Sequence, residues 1–329
     1  MTNIAILGAG NIARSMAKTL RAMKQRGDEV CLYAVASREL TRAQSFAREE
    51  GFRLAYGSYE EMVCDPAVEL VYIATPHSHH AAQIRLCVEH GKAVLCEKAF
   101  TATAMQAREV LTLAEDRGVL VTEAIWPRYM PVRAMLQELL QSGVIGNPVY
   151  LTANLGYDTM AKPRIYDPAL AGGALLDVGI YPLTFASMVF GDEIVKAEGT
   201  CTKLPTGVDM TDNITLTYAD GKEAHIATTC ICRTDRRGMI YGTAGFLEVD
   251  NVNNPQSITI YRKEDNFTAS RIIAVPKQLT GYEYEVEACI RAMAEGRIEC
   301  PEMPHEEIIR MMELMDRLRS SWGIRYPFE

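Results

Sequence analysis

A glycine-rich turn near the start of the chain constrains the fold more than any other feature. The apolar run at residues 4–7 leads directly into Gly8-x-Gly10-x-x-Ala13, and a helical pattern follows. Gly8 permits a tight turn, Gly10 lets a phosphate approach the backbone, and Ala13 lets the helix pack on the strand. The unpaired N–H groups at the helix start attract that phosphate. This opening predicts a Rossmann dinucleotide-binding fold.

Repeated strand–helix–strand order extends this domain to about residue 122. Apolar runs at 30–36, 70–74, 93–96 and 119–122 alternate with helical patterns at 41–50, 79–90 and 103–117. This order predicts a parallel sheet with right-handed crossovers.

The pattern changes beyond residue 148, where alternating segments are separated by short turns such as 219–222. Strands in series with short turns indicate a largely antiparallel sheet. Helical patterns lie near 131–142, 174, 283–295 and 305–320. We therefore predict an α/β chain with two domains. Residues 1–122 form the Rossmann dinucleotide-binding domain, and 123–329 form an α+β domain with a largely antiparallel open sheet, for substrate binding and oligomerisation.

Charge and composition exclude several classes of partner. The net charge of −8 over 329 residues argues against nucleic acid, which requires Lys/Arg patches. We see no apolar run of about 18 residues and expect no membrane partner, and we expect no leader ahead of the first strand. Nine cysteines without framework spacing are typical of reduced core thiols, so we expect a cytoplasmic protein.

The end of the second strand bears on the choice of cofactor. NAD-binding proteins of this fold usually carry an acid there, which holds the ribose 2′-hydroxyl. Here the chain has Ser37 and Arg38, with Arg42 one turn further on. Because arginine pairs with a 2′-phosphate, the sequence favours NADP(H), and NAD(H) stays an alternative. A solvated Arg38 beside Glu39 is the structural alternative.

Two polar clusters are candidates for the chemistry. Glu97 and Lys98 follow the strand at 93–96, and ligands bind at the carboxyl ends of parallel strands. Asp177 and Tyr181 are four residues apart in an apolar helical stretch behind Gly172 and Gly173, so they share one helix face. Burying them without partners is costly. The alternatives are an ordinary strand-end lysine, a capping aspartate and an amphipathic tyrosine.

Together these motifs and the segment 74–80 resemble the Gfo/Idh/MocA oxidoreductase family over essentially the whole chain. Residues 123–128 and 173–181 are most similar to its branch of dimeric dihydrodiol dehydrogenases and NADP-dependent D-xylose dehydrogenases. The resemblance implies a nicotinamide dinucleotide cofactor and a homodimer or higher homo-oligomer formed through the C-terminal sheet.

The motifs and the resemblance together assign roles by position. The cofactor-binding residues are Gly8, Gly10, Asn11, Ile12, Ser37, Arg38, Thr75, Pro76, His77, His80, Glu97, Lys98 and Tyr284. The substrate-binding residues are Trp126, Arg128, Asp177 and Tyr181. Lys98, Tyr181 and Asp177 are the catalytic residues. For Tyr284, a core position is an equal alternative.

Two positions depart from the family pattern. Tyr181 stands where most members have His, although the dihydrodiol branch has Tyr. Ala99 stands where the family usually has Pro, often after a cis bond. Because a cis bond before a non-proline residue costs about 2.5–4 kcal/mol, we expect Lys98 on a trans peptide.

The predicted function is hydride transfer between NADP(H) and the CH–OH group of a vicinal diol, sugar or polyol. Tyr181 is the acid/base, and the ammonium of Lys98 lowers its pKa. No metal is expected, because the histidines at 77, 79 and 80 lack a matching carboxylate or cysteine set. Two alternatives stay open: a dinucleotide-sensing regulator without turnover, and an inositol or nucleotide-sugar dehydrogenase of the same family.

Overall fold

The structure is a computed structural model that describes residues 1–329 and divides into two units. The first unit comprises Met1–Trp126 and Gln278–Met312, and the second comprises Pro127–Lys277 and Glu313–Glu329. The sequence predicted one boundary at residue 122, whereas here the chain returns to the first unit. Hydrogen bonds hold the returning segment there: Val121 N–H donates to the Ile298 carbonyl at 3.0 Å, and the Thr19 and Thr280 hydroxyls are 2.7 Å apart.

Six parallel strands form the sheet of the first unit, and the sequence predicted five of them. They are β1 (Thr2–Leu7), β2 (Val30–Ala36), β3 (Leu54–Tyr56), β4 (Leu70–Ile73), β5 (Ala93–Glu97) and β6 (Val121–Ala124). The order is β3-β2-β1-β4-β5-β6. Most central positions are buried, as near-continuous apolar runs require. The order reverses between β1 and β4, and dinucleotides bind at such a switch point.

Helices connect these strands. They are α1 (Asn11–Arg26), α2 (Leu40–Glu50), α3 (Tyr59–Cys64), α4 (His77–Glu89) and α5 (Ala104–Arg117). The hydroxyl of Thr103 accepts the Gln106 N–H at 3.2 Å and caps α5. The prediction missed β3 and α3, because elements of three and six residues carry almost no periodicity.

The second unit is built on an eight-stranded sheet. Its strands are β7 (Pro148–Gly156), β8 (Ile194–Lys203), β9 (Asp209–Tyr218), β10 (Glu223–Thr229), β11 (Gly238–Gly242), β12 (Gly245–Val249), β13 (Ser257–Arg262) and β14 (Ala269–Ala274). The order is β14-β13-β12-β11-β7-β10-β9-β8. Only β7 and β10 pair in parallel, so the prediction of a largely antiparallel sheet is confirmed.

Three helices accompany this sheet: α6 (Val132–Gln141), α7 (Pro163–Tyr166) and α8 (Ile180–Phe190). The helical stretch Pro168–Phe190 is long and apolar enough to be a candidate membrane span, although the sequence had suggested none. Since 78% of its most apolar window is buried inside the structure, this stretch has the burial of a core helix.

Two helices close the chain. Helix α9 (Glu283–Ala294) belongs to the first unit, and α10 (His305–Ser321) contributes residues to both units. His305 Nε2 lies 2.9 Å from the carbonyl oxygen of Val121, which joins the start of α10 to β6.

Candidate active site

The turn after β1 has the shape that phosphate binding requires. Gly8 adopts φ +104°, and a Cβ atom there would lie 2.9 Å from the carbonyl oxygen of Ala74, so glycine is needed. A Cβ on Gly10 would meet nothing within 4 Å, so the space beside it is open. Helix α1 begins at Asn11 with no side chain capping its first N–H groups. Ala13 is buried. This turn therefore fits a dinucleotide pyrophosphate.

Two arginines lie beyond the carboxyl end of β2. Arg38 is exposed, and Nη2 of Arg42 donates to the Ala9 carbonyl in the glycine turn at 3.0 Å. Burial raises the pKa of Tyr59, and the guanidinium groups of both arginines oppose that rise. Ser37 is buried beside them. Two positive charges therefore lie close to the phosphate-binding turn.

The turn after β4 is braced by a buried histidine. Nε2 of His80 lies 2.8 Å from the Thr75 carbonyl oxygen, and Nδ1 lies 3.0 Å from that of Ala99. Burial lowers the pKa of His80 to about 4, although the carbonyl oxygens oppose this shift. Because His80 has no exposed surface, it holds two backbone segments together instead of presenting an edge to a ligand. The His77 ring lies 5.9 Å from the His80 ring and is also buried.

Thr75 adjoins the glycine turn directly. Its methyl carbon would lie 3.1 Å from a Cβ on Gly8, and its hydroxyl donates to Oε1 of Gln83 at 2.5 Å. Pro76 follows as the residue before α4. The ends of β1 and β4 thus meet at the switch point, as expected for a cofactor site.

Lys98 follows β5 at the carboxyl edge of the same sheet and is partly exposed. Glu97, the last residue of β5, is buried and accepts a hydrogen bond from the hydroxyl of Tyr72. A lysine at this edge presents an ammonium group where ligands of such sheets bind.

The Lys98–Ala99 peptide bond is cis, so the expectation of a trans bond is wrong. Buried contacts define the backbone that follows. Phe100 N–H donates to Oε1 of Glu123 at 2.8 Å, and Nδ1 of His80 faces the Ala99 carbonyl. These contacts come from distant parts of the chain, so local preference alone could not indicate the isomer.

An aromatic pair lies within the first unit. The Trp126 and Tyr282 rings stack with centroids 4.4 Å apart and planes 12° apart. The indole Nε1 is buried and has no hydrogen-bond partner. The Glu283 carboxylate accepts the Gly281 N–H at 2.7 Å and so shapes the loop before α9.

The sequence suggested Tyr284 as a cofactor residue, and in the structure its neighbour Tyr282 is the tyrosine that stacks on Trp126. Tyr284 lies near Arg26 and Glu287, which act on its pKa. Arg26 ends α1, about 22 Å from the helix start at 1.5 Å per residue. Tyr284 therefore lies away from the glycine turn, whereas Tyr282, the residue before α9, contacts Trp126.

Close backbone approach explains the paired glycines of the second unit. A Cβ on Gly172 would lie 2.6 Å from the Ile165 carbonyl oxygen. Gly173 has φ +123°, and a Cβ there would collide with the carboxylate of Asp209. Neither position has room for a side chain, so glycine is required at both.

Asp177 and Tyr181 lie on the helical segment that follows these glycines. Residues Leu175–Gly179 form a π-helical turn that runs into α8, a wider turn than the α-helix expected there. Asp177 is buried, whereas Tyr181 is partly exposed. Nη2 of Arg164 lies 3.1 Å from Oδ1 of Asp177, and Nη1 of Arg164 is buried without a partner.

Arg164 and Tyr282 are the residues that sequence reasoning missed. No sequence signal pointed to Arg164, because no helix or strand periodicity links it to Asp177, which is thirteen residues away. Arg128, a predicted substrate residue, is buried, and its guanidinium donates to Oγ of Ser187 at 3.4 Å. The predicted cofactor residues around β1, β4 and β5 do gather at one edge of the first sheet.

Fold and site together define an oxidoreductase with a NAD-binding Rossmann domain. Residues 2–125 match the family described as "Oxidoreductase family, NAD-binding Rossmann fold", and residues 134–248 match the "GFO/IDH/MocA C-terminal domain". The chain belongs to the Gfo/Idh/MocA oxidoreductase family, so the resemblance seen in the sequence is confirmed.

Several known proteins are similar over nearly the whole chain. Trans-1,2-dihydrobenzene-1,2-diol dehydrogenase of Mus musculus is 34% identical, with 98% of this chain and 97% of that protein covered. A levoglucosan dehydrogenase complex with NADH and levoglucosan has a TM-score of 0.87 at 18% identity, covering 98% and 97% of the two chains. A 3-ketoreductase from Actinomadura kijaniata, in complex with NADP and TDP-benzene, has a TM-score of 0.85 at 24% identity, covering 97% of each. These structural likenesses confirm the fold class.

Proposed function

We propose that this chain is an NADP(H)-dependent dehydrogenase that oxidises the CH–OH group of a vicinal diol, sugar or polyol. One observation carries the proposal: Asp177, buried and paired with Arg164, lies one turn before the partly exposed Tyr181. A domain that only senses dinucleotide has no need of such an acid–base arrangement. The full-length similarity to diol dehydrogenases supports the substrate class.

In this reaction the side chains of the protein must accept or donate the proton of the substrate hydroxyl. A bound nicotinamide supplies the hydride acceptor or donor. Tyr181 takes the proton from the substrate hydroxyl, and its free phenol has a pKa of about 10, too high for a good base near neutrality. A nearby cation would stabilise the phenolate and lower that pKa, and we assign this role to Lys98. Solved structures of the ketoreductase include variants that replace a lysine and a tyrosine.

The other residues of the proposed substrate site orient the substrate or enclose it. Asp177 accepts a hydrogen bond from a substrate hydroxyl, and the guanidinium of Arg164 holds its carboxylate in place. The Trp126–Tyr282 pair offers an apolar face with one free indole N–H, a combination suited to a ring that bears hydroxyl groups. Arg128 borders the substrate from its place beside α8.

The cofactor proposal rests on the charges beyond β2. Arg38 and Arg42 are exposed, and Arg42 contacts the glycine turn. Two guanidinium groups favour the 2′-phosphate of NADP(H). The same edge of the sheet carries Thr75, Pro76 and Lys98, which are further predicted cofactor contacts.

The deciding experiment is turnover. Purified protein is mixed with NADP and a panel of vicinal diols, aldoses and polyols, and absorbance of the reduced cofactor at about 340 nm is followed. We expect steady reduction with at least one diol or sugar. Tight NADP binding without turnover on any panel member would instead support the sensing alternative.

We further propose a homo-oligomer formed through the eight-stranded sheet. An aromatic ladder crosses that sheet, with ring separations of 5.6 Å for Tyr150–Tyr241, 5.7 Å for Tyr241–Phe246 and 4.4 Å for Phe246–Tyr261. Beside it lies a groove of about 860 Å³. A second copy would cover this surface. Light scattering on wild type and Tyr241→Arg tests it, and a monomeric wild type would contradict it.

We also propose that the protein works in a reducing cytoplasm. Six of its free cysteines are buried, and burial raises the pKa of Cys87 to about 12, which keeps that thiol protonated. Fractionation of cells that produce the tagged protein tests this placement.

A further inference from the structure

Two aspartates on β9 are buried in the core of the second unit. Asp209 is 1% exposed and Asp212 is 0% exposed. Carboxylates are costly to bury as two charges, so a pair at this depth needs strong hydrogen bonds or a shared proton.

Asp209 caps the helical segment that carries Asp177 and Tyr181. Its Oδ2 accepts the N–H of Leu175 at 2.5 Å, and the N–H of Ala174 also donates to this carboxylate. The absence of a Cβ at Gly173 makes room for that carboxylate. An aspartate that accepts the first N–H groups of a helix fixes where the helix starts.

The surroundings of Asp212 favour the protonated form of its carboxyl group. Thr228 donates to its Oδ2 at 2.9 Å, but Oδ1 is buried and has no other hydrogen-bond partner. The side chain also contacts the carboxyl of Asp209. Burial and the neighbouring Asp209 charge raise the pKa of Asp212 to about 9, and burial raises that of Asp209. A proton on Oδ1 gives this oxygen a donor role toward Asp209.

We propose that Asp209 and Asp212 share one proton and act as positioning residues for Asp177 and Tyr181. Asp212 donates to the ionised Asp209, which accepts the N–H of Leu175. Asp209 thereby fixes the start of the helical segment that carries Asp177 and Tyr181, here called the catalytic segment. The catalytic part of this inference rests on the proposed dehydrogenase function. The sharing of a proton between Asp209 and Asp212 does not depend on that function.

Other titratable and charged groups surround the pair. They come from β8, the end of β10, the catalytic segment and the C-terminal helix with its tail: Cys201, Lys203, Cys230, Asp177, Arg319 and Tyr326. Burial raises the pKa of Cys201 to about 11, and the charges of Asp212 and Asp209 add to this rise. Because most of these neighbours are neutral or acidic, loss of the shared proton places two negative charges together and displaces the helix start.

Four variants separate positioning from general structure. Asp212→Asn keeps a donor toward Asp209, whereas Asp212→Ala removes it, and Asp209→Asn removes the charge that accepts the Leu175 N–H. Asp220→Asn is the matched control, because Asp220 is exposed in the turn between β9 and β10 and pairs with Lys222.

We expect Asp209→Asn and Asp212→Ala to lower kcat about tenfold while the Kd for NADP changes less than about twofold. Asp212→Asn should recover most of that kcat. We expect kcat of wild type to fall as the pH rises through about 9, and Asp212→Asn should remove this fall. Unchanged kcat in Asp209→Asn, or an unchanged alkaline fall in Asp212→Asn, would overturn the proposal.

Infrared spectroscopy tests the shared proton without any turnover. In a Glu285→Gln background, which removes the other buried carboxyl with a strongly raised pKa, the protein should show the carbonyl stretch of a protonated carboxylic acid at about pH 7, and adding Asp212→Asn should remove it. If this band is present but no alcohol is oxidised, the dehydrogenase assignment fails and the proton-sharing pair stands. If alcohols are oxidised but the band is absent, the pair fails.

Discussion

Nη2 of Arg164 lies 3.1 Å from Oδ1 and 3.2 Å from Oδ2 of Asp177. The aspartate is buried and the arginine is about one-third exposed. This pair places the Asp177 carboxylate against a guanidinium group one helical turn before Tyr181, and it links α7 to the helical segment that carries both residues.

Removal of Arg164 should therefore weaken substrate orientation more than folding. We expect Arg164→Met to lower kcat/KM about tenfold and to couple with Asp177→Asn by about 1–2 kcal/mol in a double-mutant cycle. The control is Lys162→Met, an exposed cation two residues earlier. Additive effects in the cycle would show that the ion pair plays no part in the reaction.

Replacement of the proposed acid/base should stop proton transfer. We expect Tyr181→Phe and Lys98→Met each to reduce kcat at least about 100-fold, because positioned acid–base groups contribute factors of this size. Tyr166→Phe, an exposed tyrosine of the same unit, is the control. Steady-state kinetics on the best substrate provide the measurement, and wild-type turnover in both variants would remove the assignment.

The charges beyond β2 should decide between the two cofactors. We expect Arg38→Gln combined with Arg42→Gln to lower kcat/KM for NADP about 10–100-fold and to leave NAD little changed, since only NADP carries the 2′-phosphate. Arg48→Gln is the control, because Arg48 is exposed on the same helix. Equal losses with both cofactors would indicate damage to the glycine turn instead.

The stacked pair should act on substrate affinity. We expect Tyr282→Leu to raise KM for the alcohol severalfold with little change in kcat, because an aromatic pair contributes about 0.5–1.5 kcal/mol. Tyr284→Leu, two residues away near Arg26, is the control. A larger effect of Tyr284→Leu would instead support Tyr284, the tyrosine that the sequence first suggested, as the residue of the site.

Glu285 should make stability depend on pH. It is fully buried, neither carboxyl oxygen has a hydrogen-bond partner, and burial beside Glu97 and Glu283 raises its pKa well above the usual value. Folding favours the protonated form. Its contribution is therefore fully present below the unfolded pKa of about 4.3 and is lost as the pH rises toward the folded value.

We accordingly expect Glu285→Gln to raise the free energy of unfolding at about pH 8 and to flatten its pH dependence, which has a limit of about 1.4 kcal/mol per pH unit. Urea denaturation at several pH values measures this, with exposed Glu295→Gln as the control. A parallel pH dependence in wild type and Glu285→Gln would show that Glu285 is not the group responsible.

Local pattern was sufficient for the glycine turn, for five of the six parallel strands and for the positions of Lys98, Asp177 and Tyr181. Each of these signals lies within a short window, where apolar periodicity and glycine spacing report backbone geometry directly. The same reasoning named Tyr284 and gave no signal for Tyr282, because the stacking of Tyr282 depends on Trp126, which is distant along the chain.

The sequence by itself determined the class of fold, the cofactor turn and the residue types available for chemistry, because these depend on neighbours along the chain. Only the tertiary structure decided the cis bond after Lys98, the pairing of Arg164 with Asp177, and the burial of Asp209 against Leu175. These features depend on groups that approach from distant parts of the chain, and burial raises the energy of every polar contact that is left unmade.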